Sequence, residues 1–176
     1  MDGSGQGFCP AASAQINRPA HSNEGKVSME GNPVLKKLGL RDQNPVLIIN
    51  PPAEYKDIMK TISAEIHPEP RQTYRFVHMF VRSQEEVNAY GRTAVDSLDG
   101  DGHLWVSYPK KSSKKYTCNI SRDQGWEVFG RKNFEPVMQV SIDEDWSALR
   151  FRCVDYIKTM KRKSALSQAG KRRIKK

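Results

Sequence analysis

Pro45-Val46-Leu47-Ile48-Ile49-Asn50-Pro51-Pro52 is a run of four apolar residues closed by prolines on both sides. A run without polar alternation reads as a strand covered on both faces, the habit of sheets that carry helices on each side. Before it, Asn32-Pro33 is an N-cap with proline at the first helical position. Val34, Leu35 and Leu38 share one face and Gly39 closes the turn, so a short helix is expected there. After it, Tyr55, Ile58, Met59 and Ile62 fall at i, i+3, i+4 and i+7, one face of a second helix. His67-Pro68-Glu69-Pro70 then breaks the pattern.

The same alternation continues downstream. Tyr74 to Val81 reads as a strand. Ser83 with Glu86 forms a capping box for a helix bearing Val87, Tyr90, Ala94 and Leu98. Asp99-Gly100-Asp101-Gly102 reads as a turn into a strand over Leu104 to Tyr108. A basic loop follows, then a short helix from Arg122 to Phe129 ending at Gly130. Two strands, Val137 to Ile142 and Leu149 to Val154, close the core through Asp143-Glu144-Asp145-Trp146-Ser147. The fold class expected is α/β: three layers, a mainly parallel sheet of about five strands with helices on its faces, and an antiparallel C-terminal pair. The expected organisation is a disordered leader over 1–31, a single domain over 32–157 and a basic flexible tail over 158–176. Met29, just ahead of the first patterned segment, is a candidate second translation start, and the choice between Met1 and Met29 stays open.

A chain of 176 residues suits one hydrophobic core. No run of about 18 apolar residues predicts a membrane span, and the first thirty residues lack the basic start and apolar run of a secretory signal. Cys9, Cys118 and Cys153 are odd in number and far apart, which points to a reducing, cytoplasmic setting and away from a disulfide framework or zinc site. The net charge of +9 is unevenly placed: Lys158 to Lys176 holds nine Lys/Arg and no acidic residue, and the other 157 residues hold 20 of each sign. The excess therefore belongs to the tail.

Ligands of open α/β sheets sit beyond the carboxyl ends of the strands. There the loop after the third core strand, with the helix that follows it, offers Lys110, Lys111, Ser112, Lys114, Lys115 and Arg122 for a phosphate or carboxylate, as in a phosphorylated small molecule. The bland alternative is a solvated lysine loop, since no glycine lets the backbone wrap a phosphate. Asn50-Pro51-Pro52 resembles the Asn-Pro-Pro-aromatic loop of amino-group methyltransferases, but Tyr55 comes too late for the aromatic position and no glycine-rich cofactor loop precedes it. Asp143, Glu144 and Asp145 read as a solvated turn, and no metal or cofactor motif is present. His67, His78 and His103 have no nucleophile or carboxylate placed beside them by sequence, so no catalytic residue is assigned. The tail clusters, Lys158, Lys161, Arg162 and Lys163, then Lys171, Arg172, Arg173, Lys175 and Lys176, suit a nucleic acid or acidic protein; their bland alternative is a self-repelling, solubilising end.

Leu104-Trp105-Val106-Ser107-Tyr108-Pro109-Lys110-Lys111, Ser121-Arg122-Asp123-Gln124-Gly125-Trp126-Glu127 and Ile142-Asp143-Glu144-Asp145-Trp146-Ser147-Ala148-Leu149-Arg150-Phe151 together resemble an uncharacterised bacterial family, the domain of unknown function 3052. The resemblance spans roughly residues 32 to 157, implies a bacterial cytoplasmic α/β protein and implies no activity. It directs attention to Trp105, Asp123, Trp126, Asp145, Trp146 and Arg150 as a structural network, with Arg122 and Arg150 pairing Asp123 and Asp145 between helix and hairpin. The leading expectation is a non-enzymatic module that contacts an acidic partner through its tail. The alternative is a phosphorylated small molecule bound or turned over at the strand ends. Oligomeric state stays open.

Overall fold

The computed structural model describes residues 31–174; Met29, Cys9, nearly all of the expected leader, and Lys175 and Lys176 lie outside that range. Helix α1 (Pro33–Leu38) forms as its caps dictate: Asn32 Oδ1 accepts from Val34 N at 3.0 Å, and Gly39 takes the left-handed conformation that ends the helix. Strand β1 (Val46–Ile49) is buried at every position. A 3-10 turn over Ala53–Tyr55 leads into α2 (Lys56–Met59). Then come β2 (Ile66–His67), β3 (Tyr74–Phe80), α3 (Gln84–Asp96), β4 (Leu98–Pro109), α4 (Glu127–Arg131), β5 (Phe134–Ser141), β6 (Trp146–Cys153) and α5 (Gln168–Ile174).

The strands form one six-stranded sheet in the order β2-β1-β3-β4-β6-β5. Pairings β1–β2, β1–β3 and β3–β4 are parallel, whereas β4–β6 and β5–β6 are antiparallel. The mainly parallel, five-stranded expectation is thus corrected: the sheet is mixed and has a sixth strand. That strand, β2, is two residues long and sits where prolines crowd the sequence, too short to leave a pattern. The hairpin inserts its second strand, β6, next to β4. Trp146, Ala148, Leu149 and Phe151 of β6 are buried on both faces, while β5 carries the exposed Val137 and Met138. The strand apolar on both sides takes the interior position and the more polar one the edge.

Helices α3 and α4 cover one face, where Val87, Ala94, Trp126 and Phe129 pack on Leu47, Val77, Val106 and Phe151. On the other face, α1 and α2 place Leu35, Leu38, Tyr55 and Ile58 against Ile48, Phe76, Trp105 and Trp146. Phe129 stacks on Phe151 at 4.3 Å. Two element boundaries differ from expectation. Asp99-Gly100-Asp101-Gly102, read as a turn, lies inside β4, whose register against β3 slips between Tyr74 and Phe76. Tyr74 therefore joins the α3 layer, away from Phe76 and Phe80. Helix α4 begins at Glu127 instead of Arg122, because Gly125 at φ +102° turns the chain first. The segment after 158, expected to be a free tail, returns to the domain and ends in α5.

Candidate functional site

The turn that presents Arg122 is built before any charge is considered. Ser121 and Gln124 exchange backbone hydrogen bonds at 3.2 and 3.3 Å. Trp126, buried at the α4 N-terminus, donates its Nε1 to the Ser121 carbonyl at 2.8 Å and the Arg122 carbonyl at 3.1 Å. Gln84 at the start of α3 donates its side-chain Nε2 to the Gly125 carbonyl at 3.0 Å and its backbone N–H to Asn119 Oδ1 at 3.0 Å. A buried indole and a helix terminus hold the backbone, so the exposed Arg122 is aimed without using its own charge.

The tail is held from the other side. Glu135 on β5 is buried, and its carboxylate accepts from Leu166 N at 3.0 Å, Ser167 N at 2.7 Å and Ser167 Oγ at 2.6 Å. Ser167 Oγ in turn accepts from Gly170 N at 2.9 Å, capping α5. Gly170 is required there: a Cβ would stand 2.4 Å from Glu135 Oε1. Arg173 then donates to the carbonyls of Val154 at 2.7 Å and Lys158 at 3.2 Å. These contacts lay residues 158–162 across the domain.

Three contiguous depressions on this side form one groove, because Arg122 lines all of them. One end carries Lys110, Lys111 and Ser112; the floor carries Gln139, Ser147 and Val137; the far end, a cavity of about 620 Å³, carries Lys158, Lys161 and Arg162. Among the described residues, Lys111, Arg122, Lys158, Lys161 and Arg162 form no salt bridge. The lysine loop and the tail, which the sequence offers as separate sites, thus meet at Arg122 and Arg162.

Not every expected cation joins. Lys110 Nζ donates to Ser141 Oγ at 2.8 Å and to the Asp143 carbonyl, bracing the hairpin turn at the groove rim. Lys114 and Lys163 are exposed away from the groove, Lys171 and Arg172 are exposed on α5, and Arg173 is a strut. Lys115 leaves the groove for Glu54, 3.3 Å away on the far side of the loop. There Glu54 Oε1 also accepts from Tyr116 OH at 2.6 Å and Trp146 Nε1 at 3.1 Å. Burial raises the Glu54 pKa, but the hydrogen bonds from Tyr116, its own amide, Trp146 and Lys115 outweigh it and bring the carboxyl down to about 2.

The expected network of Arg122, Asp123, Asp145 and Arg150 does not form among the described residues. Arg150 sits opposite Trp105, on the α1 face of the sheet, whereas Arg122 belongs to the Trp126 layer, so the sheet separates them. Asp145 instead accepts from Ser113 Oγ at 2.6 Å, and Asp123 is exposed at the groove. The ion pair near Arg150 is made by its neighbour: Arg152 Nε reaches Asp101 Oδ1 at 2.6 Å, with a second contact from Nη2 to Oδ2. Trp105 donates to the Leu38 carbonyl at 2.8 Å, joining the sheet to α1. Burial pushes the Cys118 thiol up, against a nucleophilic role.

Sequence reading missed Glu54, Tyr116, Glu135 and Ser167. Ser167-Gln168-Ala169-Gly170, read as a spacer, carries a helix-cap signal in its serine; Glu54 has no signal, because its partners are 61 to 92 residues away. The fold and groove define a mixed α/β protein with a basic cleft across one edge of its sheet. No protein-family model, curated protein or solved structure matches the chain. No helix among the described residues is long and apolar enough to cross a membrane.

Proposed function

We propose that the groove binds the phosphate backbone of a nucleic acid, and that the protein is a non-enzymatic binding module. The observation that carries this is the convergence of Arg122 and Arg162 on one cleft, with Lys111, Lys158 and Lys161 along its length. A line of cations without salt-bridge partners among the described residues is complementary to a chain of phosphates, and guanidinium groups suit phosphate oxygens. A mononucleotide seated at the Lys111–Arg122 end is the second reading, favoured by the depression of about 420 Å³ there. The motif resemblance and the cysteine usage support placing the chain among bacterial cytoplasmic proteins of the domain of unknown function 3052.

Fluorescence anisotropy of a labelled single-stranded oligonucleotide between about 50 and 200 mM salt tests this. Contacts to about five phosphates give a log–log salt slope of about −3.5. The double variant Arg122→Ala/Arg162→Ala is expected to weaken binding tenfold or more and to flatten the slope by about 1.4. Lys171→Ala/Arg172→Ala, on α5 outside the groove, is expected to change it less. Equal losses for both pairs would show contact with the tail at large and overturn the groove. Saturable binding of a nucleoside monophosphate at low millimolar concentration, with no oligonucleotide binding, would select the second reading.

A further inference from the structure

The connections from β1 and β3 part company. The one from β1 runs through α2 on one face of the sheet to β2, and the one from β3 runs through α3 on the other face to β4. The crevice beyond the carboxyl ends of β1 and β3 is therefore the topological switch point, the place where sheets of this kind open a cleft between their two helix layers. A cavity of about 380 Å³ lies there, away from the groove. Asn50 enters it directly from β1, Arg82 from β3, and Glu54, Lys115, Tyr116 and Trp146 form its wall.

The polar atoms of this cavity are arranged unevenly. Tyr116, Trp146 and Lys115 all approach Glu54 Oε1, and Oε2 receives no side-chain donor among the described residues. The donors fix the carboxylate in place and leave one oxygen to accept from something else. Asn50, at φ +53°, is fixed in the same way: its Nδ2 donates to the Phe80 carbonyl at 3.1 Å, and its Oδ1 has no donor among the described residues. Arg82, a mostly exposed cation, lines the same cavity; its backbone N–H donates to Glu86 Oε2 at 2.6 Å, while its guanidinium stays 3.6 Å from Glu86 Oε1. Lys115 neutralises Glu54 locally, so the cavity asks for donors and an anionic group together instead of a bare cation.

We infer that this cavity binds a small zwitterion, with its ammonium donating to Glu54 Oε2 and Asn50 Oδ1 and its carboxylate or phosphate on Arg82. The inference is independent of the groove. Ammonium groups bring three donors and match two fixed acceptors with one donor left for water, while the guanidinium takes either anion in bidentate fashion. The apolar wall of Pro51, Pro52 and Phe80 excludes water from one side of the ligand and strengthens both contacts.

The test uses the full-length protein and the indole resonance of Trp146, whose Nε1–H lies on Glu54, as reporter. Titration with L-alanine and with O-phosphoethanolamine distinguishes a carboxylate from a phosphate ligand. At least one is expected to shift the Trp146 indole and the Asn50 and Lys115 amides saturably, with Kd at or below about 1 mM. Methylamine and acetate, each carrying half of the recognised chemistry, are expected to bind at least tenfold more weakly. Glu54→Gln and Arg82→Ala are each expected to weaken the zwitterion about tenfold; Arg82 is exposed and unburdened by packing, so that variant keeps the fold. Shifts confined to Arg122 and Gln139, no saturable shift at either zwitterion up to about 10 mM, or an Arg82→Ala variant that binds as wild type would each overturn the inference.

Discussion

Acidification from neutral pH to about pH 4.5 is expected to destabilise the protein by about 3 kcal/mol through His78 alone. His78 is fully buried in β3, with Nδ1 3.2 Å from Tyr55 OH and Nε2 2.7 Å from Ser107 Oγ, and Phe80 lies against its ring at 4.3 Å. Both partners are neutral hydroxyls, and among the described residues no carboxylate bonds the ring to compensate an imidazolium. Burial therefore brings the His78 pKa from 6.5 down to about 3. A depressed folded-state pKa means that the unfolded chain takes up the proton first. The stabilisation is complete above about pH 6.5 and is lost as the pH falls from there toward 3. Burial lowers His103 as well, so it acts in the same direction. Glu54 responds only from about 4.5 down to about 2, so the upper part of the acid limb belongs to histidine.

Urea midpoints at pH 7 and pH 4.5 measure the effect. The variant His78→Gln is expected to be less stable at pH 7, because Tyr55 and Ser107 lose their shared partner, yet to have a shallower pH dependence. An unchanged slope in that variant would remove His78 as its source. Ser107 beside this histidine is closed off from solvent: Ser107 and His78 are both fully buried, and burial holds the Tyr55 hydroxyl well above its ordinary pKa.

Glu135→Gln is expected to weaken nucleic-acid binding although it makes the protein more positive. A tail acting only through its charge would bind more tightly once an acidic residue is removed. A groove whose far wall is Lys158 to Arg162 loses that wall when the dock on Glu135 fails. The amide group can accept on one oxygen only, and its NH2 confronts donors, so at least one of Leu166 N, Ser167 N and Ser167 Oγ is left without an acceptor. Charge-assisted bonds of this kind contribute about 1.5–3 kcal/mol each, enough to undock α5. Hydrogen exchange over residues 164–174 is expected to accelerate tenfold or more, and trypsin to cut after Lys158, Lys161 and Arg162 while residues 32–157 stay protected. Tighter oligonucleotide binding by Glu135→Gln would show that the tail works as a free polycation.

The apolar run Val46–Ile49, the Asn32 and Ser83 caps and the helical spacing of Val87 and Ala94 were legible because each signal lies within a few residues of its partner. So were the strand–helix alternation and the concentration of positive charge after residue 158. Composition and local backbone preference decide these, and the sequence alone determined them. The two-residue β2, the inner position of β6, the meeting of Arg122 with Arg162 and the seat of Glu54 under Tyr116 and Trp146 were decided only by the tertiary structure. Each depends on residues far apart in the chain, and a carboxylate such as Glu135 reads as surface until the fold brings helix α5 onto it. Sequence periodicity says which face of an element is buried; which elements then meet depends on the summed packing of the whole sheet, and no local window contains that sum.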